Sequence, residues 1–319
     1  MKVILSRKGF DKAAGGCSSL IIDNKYISIP IPDDKTDLKY KDVNICGYNI
    51  QTLFDNYDYR GKHKIEPALE KNVNDKKIKL KIDTCHLDPN IEKGVFGQCD
   101  DNGSNAATHL KNQGIGQGDL FLFFGWFRKY DLEQHHFTGR DMHCIYAYLK
   151  VGKVFDLNNA ADVKEAQKLY PEHPHIKYMS KYNTNPKNPH FLFAANINDE
   201  LISGSGIPSC GRLNLIVEKD EETIDNPSTV LTMPGMSRSN WKLPMIFYNC
   251  GMTYHTDTPT EHWFKLDNNF CQLKSVSRGQ EFVIPKNDEI NGQPDKFQND
   301  EIIKWALNLI KKNIVKPKQ

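Results

Sequence analysis

An α+β fold, with a mixed or barrel-like β-sheet flanked by helices, is predicted by three features of this 319-residue chain. The segment Gly114 to Arg128 (GIGQGDLFLFFGWFR) ends one element on glycine and opens an unbroken apolar run from Leu120 to Phe127. That run is too short for a membrane span; bounded by glycines and rich in aromatics, it reads as a buried strand. Next, His143 to Val151 alternates, with Ile145, Ala147, Leu149 and Val151 on one face and Tyr146, Tyr148 and Lys150 on the other. Finally, Ile303, Ala306, Leu307 and Ile310 recur at helical spacing between Glu301 and Asn313.

The remaining elements follow in order. Lys2 to Leu5 predicts a first strand, ending in Arg7, Lys8, Gly9 and Asp11 with Gly15 and Gly16 close behind. Ile27, Ile29 and Ile31 alternate, so Tyr26 to Ile31 reads as a strand, which Pro30 and Pro32 place at a sheet edge. Residues 33 to 80 are polar and lysine-rich with few signals, and Leu80 to Ile82 reads as a short strand leading to Pro89. Ser104 to Gln113 predicts a helix, capped by Asn102 or Ser104 and stopped by Gly114. Asn158 to Tyr170 predicts another, ending before Pro171. Residues 171 to 210 read as loop-rich, with short strands after them at Leu213 to Val217 and Glu281 to Ile284. Asn299 and Asp300 suit the start of the last helix, and Lys311 and Lys312 its end. No linker or repeat is visible, which predicts one domain over residues 1–319.

Composition narrows the function. With 39% apolar and 26% charged residues the chain can build a substantial core. A net charge of +2 gives no global field for non-specific duplex binding, although a local basic patch is compatible with it. The opening residues are too briefly apolar for a secretory signal and no segment has the length of a membrane span, so a cytoplasmic protein with no membrane partner is expected. Eight scattered cysteines form no CxxC pair, which argues against a zinc ribbon, a redox motif or a disulfide scaffold.

Five constellations have the residue types that chemistry needs. Arg7, Lys8 and Asp11 follow a strand and precede glycines, an arrangement able to hold a phosphate, or equally a solvated turn; it matches neither a Walker A loop nor a GxGxxG fingerprint. His86 and Asp88 point the same way if extended, as a general base and its orienting carboxylate would, with Gln98 downstream; Asp88-Pro89 also suits a plain turn. Histidines His135, His136, His143, His173 and His175 cluster in sequence without a recognised metal-ligand spacing; they are expected to be solvated loop residues, and no metal ligands are assigned. Arg238 and Trp241, flanked by serines, could grip a phosphate and stack on a base, as could Trp126 beside Arg128; either tryptophan could instead anchor a core. Arg278, Gln280 and Glu281 offer a cation, an amide for a base edge and an acid–base group, or simply a turn entering a strand. Asp119 opens the aromatic run and is a further carboxylate candidate. No GxSxG elbow or catalytic-cysteine signature occurs, and no particular cofactor is indicated.

Several phrases in combination, ILSRKGFD from Ile4, HLDP from His86, FGQ from Phe96, GDLFLFFGWFR from Gly118, SRSNWKLP from Ser237 and RGQEFV from Arg278, resemble the nucleotide modification associated domain 3 family. The resemblance spans almost the whole chain. It implies an association with modified nucleotides or bases, in phage and mobile-element settings, without supplying a reaction. Residues 113 to 156 are also similar to PUA-like and EVE barrels, which implies recognition of a modified or flipped base.

Together these readings predict a protein that binds a nucleotide or modified nucleic-acid base and takes part in its modification. Arg7, Lys8, Arg128 and Arg238 would contact phosphate, Trp126 or Trp241 would stack on the base, and Asp88, Asp119 or Glu281 would handle protons. A non-catalytic reader of modified DNA and a metal-dependent hydrolase are the alternatives.

Overall fold

The computed structural model describes residues 1–56, 65–73, 76–100, 105–182, 185, 187–216, 228–254, 258–259, 262–275, 279–285 and 298–315. The elements that frame the site are, in order, β1 (Val3–Arg7), β2 (Ser19–Ile22), β3 (Lys25–Ile27), β4 (Ile31–Pro32), β5 (Cys85–His86), β6 (Val95–Cys99), α1 (Ala106–Asn112), β7 (Leu120–Asp131), β8 (His136–Lys150) and β9 (Lys153–Asp156). They continue with α2 (Ala160–Leu169), α3 (Pro174–Lys177), β10 (His190–Ala194), β11 (Cys210–Arg212), β12 (Asn240–Pro244), β13 (Thr253–Tyr254), β14 (Trp263–Lys265), β15 (Phe270–Lys274), β16 (Glu281–Ile284) and α4 (Gln298–Asn313).

Among the described residues, nine strands make the main sheet, in the order β11, β8, β7, β1, β16, β13 and Thr258–Pro259, with β2 and β3 attached through β7. β1 runs parallel to β7, and β7 forms a long antiparallel hairpin with β8. The sheet is mixed and open, so the barrel-like form is not adopted. The predicted PUA-like element resolves into this hairpin plus β9, and β9 belongs to a separate sheet with β10 and β6.

The apolar run is buried on both faces because both faces are covered. Leu120, Leu122 and Phe124 pack with Trp241, Leu243, Leu273 and helix α4. Phe121, Phe123 and Phe127 pack with Phe96, Phe193 and Leu110 on the other side. The same double cover buries Tyr146 and Tyr148 of β8, which alternation had placed on the opposite face from the apolar residues. A third cluster, with Phe10, Tyr40 and Phe54 at its centre, sits around β2 and β3.

Local signals match where they were strong. Asn159 caps α2 by accepting from the backbone of Ala161 and Asp162. Gly114 has φ +59° just past α1, the left-handed geometry that ends a helix. The face α4 buries is offset from the one its spacing suggested: Ile302, Ala306, Leu309 and Ile310 are buried, while Ile303 and Leu307 only border the core. Tyr26 to Ile31 divides into β3 and β4, with Pro30 between them. Leu213 makes only an isolated bridge, Val217 lies outside the described residues, and the strand there is β11. The lysine-rich stretch holds a short helix at Ile50–Asp55 and a hairpin of Ala68–Val73 with Lys76–Lys81. Asn102 and Ser104, offered as caps for α1, lie outside the described residues.

Candidate functional site

The site begins where the backbone forks. β1 pairs with Leu120 to Phe124 of β7, and β2 takes over along the same strand at Phe127 to Lys129. The Lys8 N–H still reaches the Phe124 carbonyl at 2.8 Å, and then the chain leaves the sheet. Gly125 lies in the gap, where a Cβ would stand 2.6 Å from the Lys8 carbonyl oxygen, so no side chain fits. Gly9, at φ +85°, turns the chain outward, and Asp11 closes the turn by accepting from Ala13 and Ala14. Parallel strands that part at their carboxyl ends leave a crevice beyond them, the usual ligand position in open sheets.

That crevice is a cleft of about 550 Å³. Of the residues singled out in the sequence, Arg7, Lys8, Asp11, His86, Asp88, Gln98 and Gln280 all line it. Lys8 is fixed on three sides: its ammonium is 2.7 Å from Gln98 Oε1, 2.8 Å from Glu281 Oε1 and 4.4 Å from the centre of the Phe96 ring. Glu281 is fully buried next to this ammonium. Burial raises its pKa above the ordinary glutamate value, and Lys8 offsets only part of that.

Arg7 also lines a second pocket, of about 490 Å³, together with Arg140, Arg238, Ser237, Ser239 and Ser275. Three arginines and three serines, with Asp141 and His143 also in the lining, give this pocket a net excess of cationic and hydroxyl donors suited to an anion. Arg238 lies over Trp126, 3.8 Å from the ring centre, and the Trp126 indole N–H donates to Asp141 at 3.0 Å. The indole face is thus taken up by Arg238.

A buried histidine–carboxylate cluster forms the wall of the first cleft facing α3. Asp88 Oδ2 is 3.5 Å from His86 Nε2 and 3.5 Å from His175 Nε2, and Oδ1 is 3.3 Å from His173 Nε2. The Gly97 N–H donates to Asp88 Oδ1 at 3.0 Å. His86 Nδ1 lies 3.0 Å from Asp33 Oδ2 and 2.8 Å from the Tyr182 hydroxyl, which itself bonds Asp33. His175 Nδ1 lies 2.8 Å from His190 Nε2. Register explains the convergence: β6 pairs with β10, placing Cys99 opposite His190, and β4 pairs with β5, placing His86 opposite Ile31 close to Asp33.

The electrostatics are sharply divided. Burial opposes ionisation of Asp88, but the imidazoles around it prevail and hold its pKa well below the usual carboxylate range. Asp33 is likewise penalised by burial, yet His86 and Tyr182 bring it to about 2. His86, despite burial, is raised to about 9 by its two carboxylates, while burial lowers His175 to about 3 and His190 to about 4. The expectation of solvated loop histidines is therefore corrected for His143, His173 and His175, which are buried; His135 and His136 are exposed. His173 and His175 are buried because the segment after Pro171 forms α3 against the sheet of β6 and β10 instead of a surface loop, and His143 because it lies on β8 beside Phe124 and Trp241. His190, Asp33 and Tyr182 had not been singled out. The pair of H-x-D and H-x-H spacings was the available signal.

The other candidates fall elsewhere. Asp119 is buried at the opposite end of β7 from Trp126, accepting from the backbone of Lys2 and Gly116, and so stabilises a turn. Arg128 sits over Phe137 and donates to the Gly139 carbonyl, along the hairpin and outside both pockets. Trp241 corrects the stacking expectation: it is fully buried against Phe124 and Phe282, and its indole N–H donates to His143 Nδ1 at 3.1 Å. Arg278 lies outside the described residues. No helix among the described residues is long and apolar enough to cross a membrane.

No curated protein and no solved structure matches the chain. The family model for nucleotide modification associated domain 3 matches residues 2–285, a span that holds every residue of the cleft, the arginine–serine pocket and the histidine cluster. The family's name points to an association with nucleotide modification. The chain belongs to the nucleotide modification associated domain 3 family.

Proposed function

We propose that this protein binds a nucleotide, or a modified nucleic-acid base carrying its phosphate, at the fork between β1 and β2 and takes part in its modification. One observation carries the reading: Arg7 lines both the cleft and the arginine–serine pocket, so one cation borders both spaces. A phosphate fits the pocket of Arg7, Arg140, Arg238 and the three serines, where charge-assisted hydrogen bonds are strong. The sugar and base then extend into the cleft, where Gln98 and Gln280 offer amides to a base edge. His86, Asp88 and His175 line the same cleft, which supports a part for them in a reaction there.

The test is calorimetric titration with a panel of nucleoside monophosphates and modified bases, in wild-type protein and in Arg238→Ala. Loss of a hydrogen bond to a charged group costs about 1.5–3 kcal/mol, so Arg238→Ala weakens binding by roughly tenfold or more. An unchanged affinity with an intact fold removes the pocket from the ligand site. Asp88→Asn then separates enzyme from reader: a reader keeps its ligand affinity and has no turnover to lose.

A further inference from the structure

We infer that His86, Asp88 and His175 bind a divalent first-row transition-metal ion in the wall of the cleft. Their ligating atoms, two imidazole nitrogens and one carboxylate oxygen, all lie within 4.8 Å of one another. The spacing favours shared ligation over direct pairing. A charge-assisted N–H to carboxylate bond is about 2.7–2.9 Å long. Here both Nε2 atoms stand 3.5 Å from Asp88 Oδ2. Two donors each about 2.0–2.1 Å from one tetrahedral ion are separated by roughly 3.4 Å. The side chains are therefore spaced as neighbours around a common centre.

The surrounding contacts orient the right atoms. Asp33 Oδ2 faces His86 Nδ1, so Nδ1 carries the hydrogen and Nε2 is the nitrogen left to bind an ion. His190 Nε2 lies 2.8 Å from His175 Nδ1, and in the tautomer in which His175 donates this bond its Nε2 is likewise the nitrogen left for an ion. Donation from the far ring nitrogen to a fixed acceptor is the usual support of a histidine ligand. Asp88 is held on its other oxygen by the Gly97 N–H. Gly97 has a second role: a Cβ there would stand 2.4 Å from the His175 ring, so this position is kept empty for the imidazole.

An independent observation also points to an absent ligand. His173 is buried, yet neither of its ring nitrogens has a hydrogen-bond partner. Its Nε2 is 3.3 Å from Asp88 Oδ1 but off the line of a hydrogen bond. A buried polar group without a partner is costly unless something else completes it.

His86, Asp88 and His175 all line the cleft, so an ion held by three protein ligands keeps its remaining coordination positions toward that space. Two imidazoles and a carboxylate with open positions is a donor set of zinc hydrolases and of non-haem iron(II) oxygenases. The inference goes beyond nucleotide binding and does not require it.

The test uses the full chain, stripped with a chelator and shown to be folded by circular dichroism, then titrated with Co(II) or Zn(II) in the absence of nucleotide. About one ion per chain is expected, with visible absorption for Co(II). Elemental analysis of protein purified without chelator separates zinc from iron. His175→Ala and Asp88→Ala should abolish stoichiometric binding, and Asp33→Asn, which leaves all three ligands in place, should weaken it about 10–100-fold. Cys99→Ser should keep the ion. Folded wild-type protein that takes up no ion overturns the assignment, as does loss of the ion in Cys99→Ser with retention in His86→Ala. Either result leaves the Arg238→Ala nucleotide titration unaffected, so the two ideas fail separately.

Discussion

The Lys8 ammonium stands 2.8 Å from Glu281 Oε1, and the Glu281 side chain is wholly shielded from water. The carboxylate's second oxygen has no hydrogen-bond partner, so Lys8 provides most of its compensation. Removing one member of a buried pair strands the other and costs about 3–5 kcal/mol. Lys8→Ala is therefore expected to lower the denaturant midpoint strongly. Glu281 has its folded-state pKa raised above the unfolded value, so it contributes no penalty in acid and a growing one as pH rises toward the folded value. The defect of Lys8→Ala should accordingly be small near pH 4 and large at pH 8. Adding Glu281→Gln should restore much of the loss, and a defect independent of pH would refute the pairing.

Trp126 holds the Arg238 guanidinium over its ring, 3.8 Å from the centre. A stacked cation of this kind gains about 0.5–2 kcal/mol. Trp126→Leu should therefore reduce affinity for a phosphorylated ligand by a few-fold, less than Arg238→Ala does, because the charge remains but its position is lost. Calorimetry on the two single variants and the double variant measures the coupling. Strictly additive effects would show that the stack plays no part in ligand binding.

Gly125 is the residue at the fork whose missing side chain matters. A Cβ there would meet a backbone oxygen, that of Lys8, at 2.6 Å, and backbone cannot swing aside as a side chain can. Gly125→Ala is expected to destabilise the protein by about 1–3 kcal/mol, the usual range for overpacking. It should also disturb ligand binding, since Lys8 is displaced. A chemical melt together with the nucleotide titration checks both.

His143 gives a pH signature. Burial, then the charges of Arg7 and Arg238, hold its pKa well below the ordinary histidine value, and its Nδ1 accepts from Trp241. Its contribution is complete above about pH 6.5 and is lost as pH falls, because the unfolded chain takes up a proton that the native state refuses. One such group contributes a slope of about 1.4 kcal/mol per pH unit. His143→Gln should flatten the acid side of the stability profile by that amount. An unchanged slope would mean that His143 is protonated in the native state.

The sequence was most readable where one short segment carried the whole signal. Leu120 to Phe127 could only be satisfied by burial on two faces, and Glu281 to Ile284 and the final helix have their periodicity within a few residues. The chemistry was less readable because it depends on pairing. His86 and Asp88 come from the end of β5 and the residues after it, His173 and His175 from the start of α3, and only the β6–β10 register with α3 brings the two pairs together. Trp241 shows the same limit from the other side: next to Arg238 it looks like a ligand platform, but β12 pairs with β15 and turns the indole inward. Arg7 and Lys8, which line the cleft, could be singled out from the sequence because a charged pair at a strand end, followed by glycine, is a local feature.

The fork between β1 and β2 has a corollary. Both strands are secured independently along β7, before and after the gap. Of the intervening residues, Gly9, Asp11, Ala13 and Ala14 line the cleft without carrying the register of either strand, while Phe10 and Cys17 belong to the third core cluster. Substitutions at those four positions can therefore change the lining of the cleft while leaving both pairings along β7 and the Phe10 anchor in place.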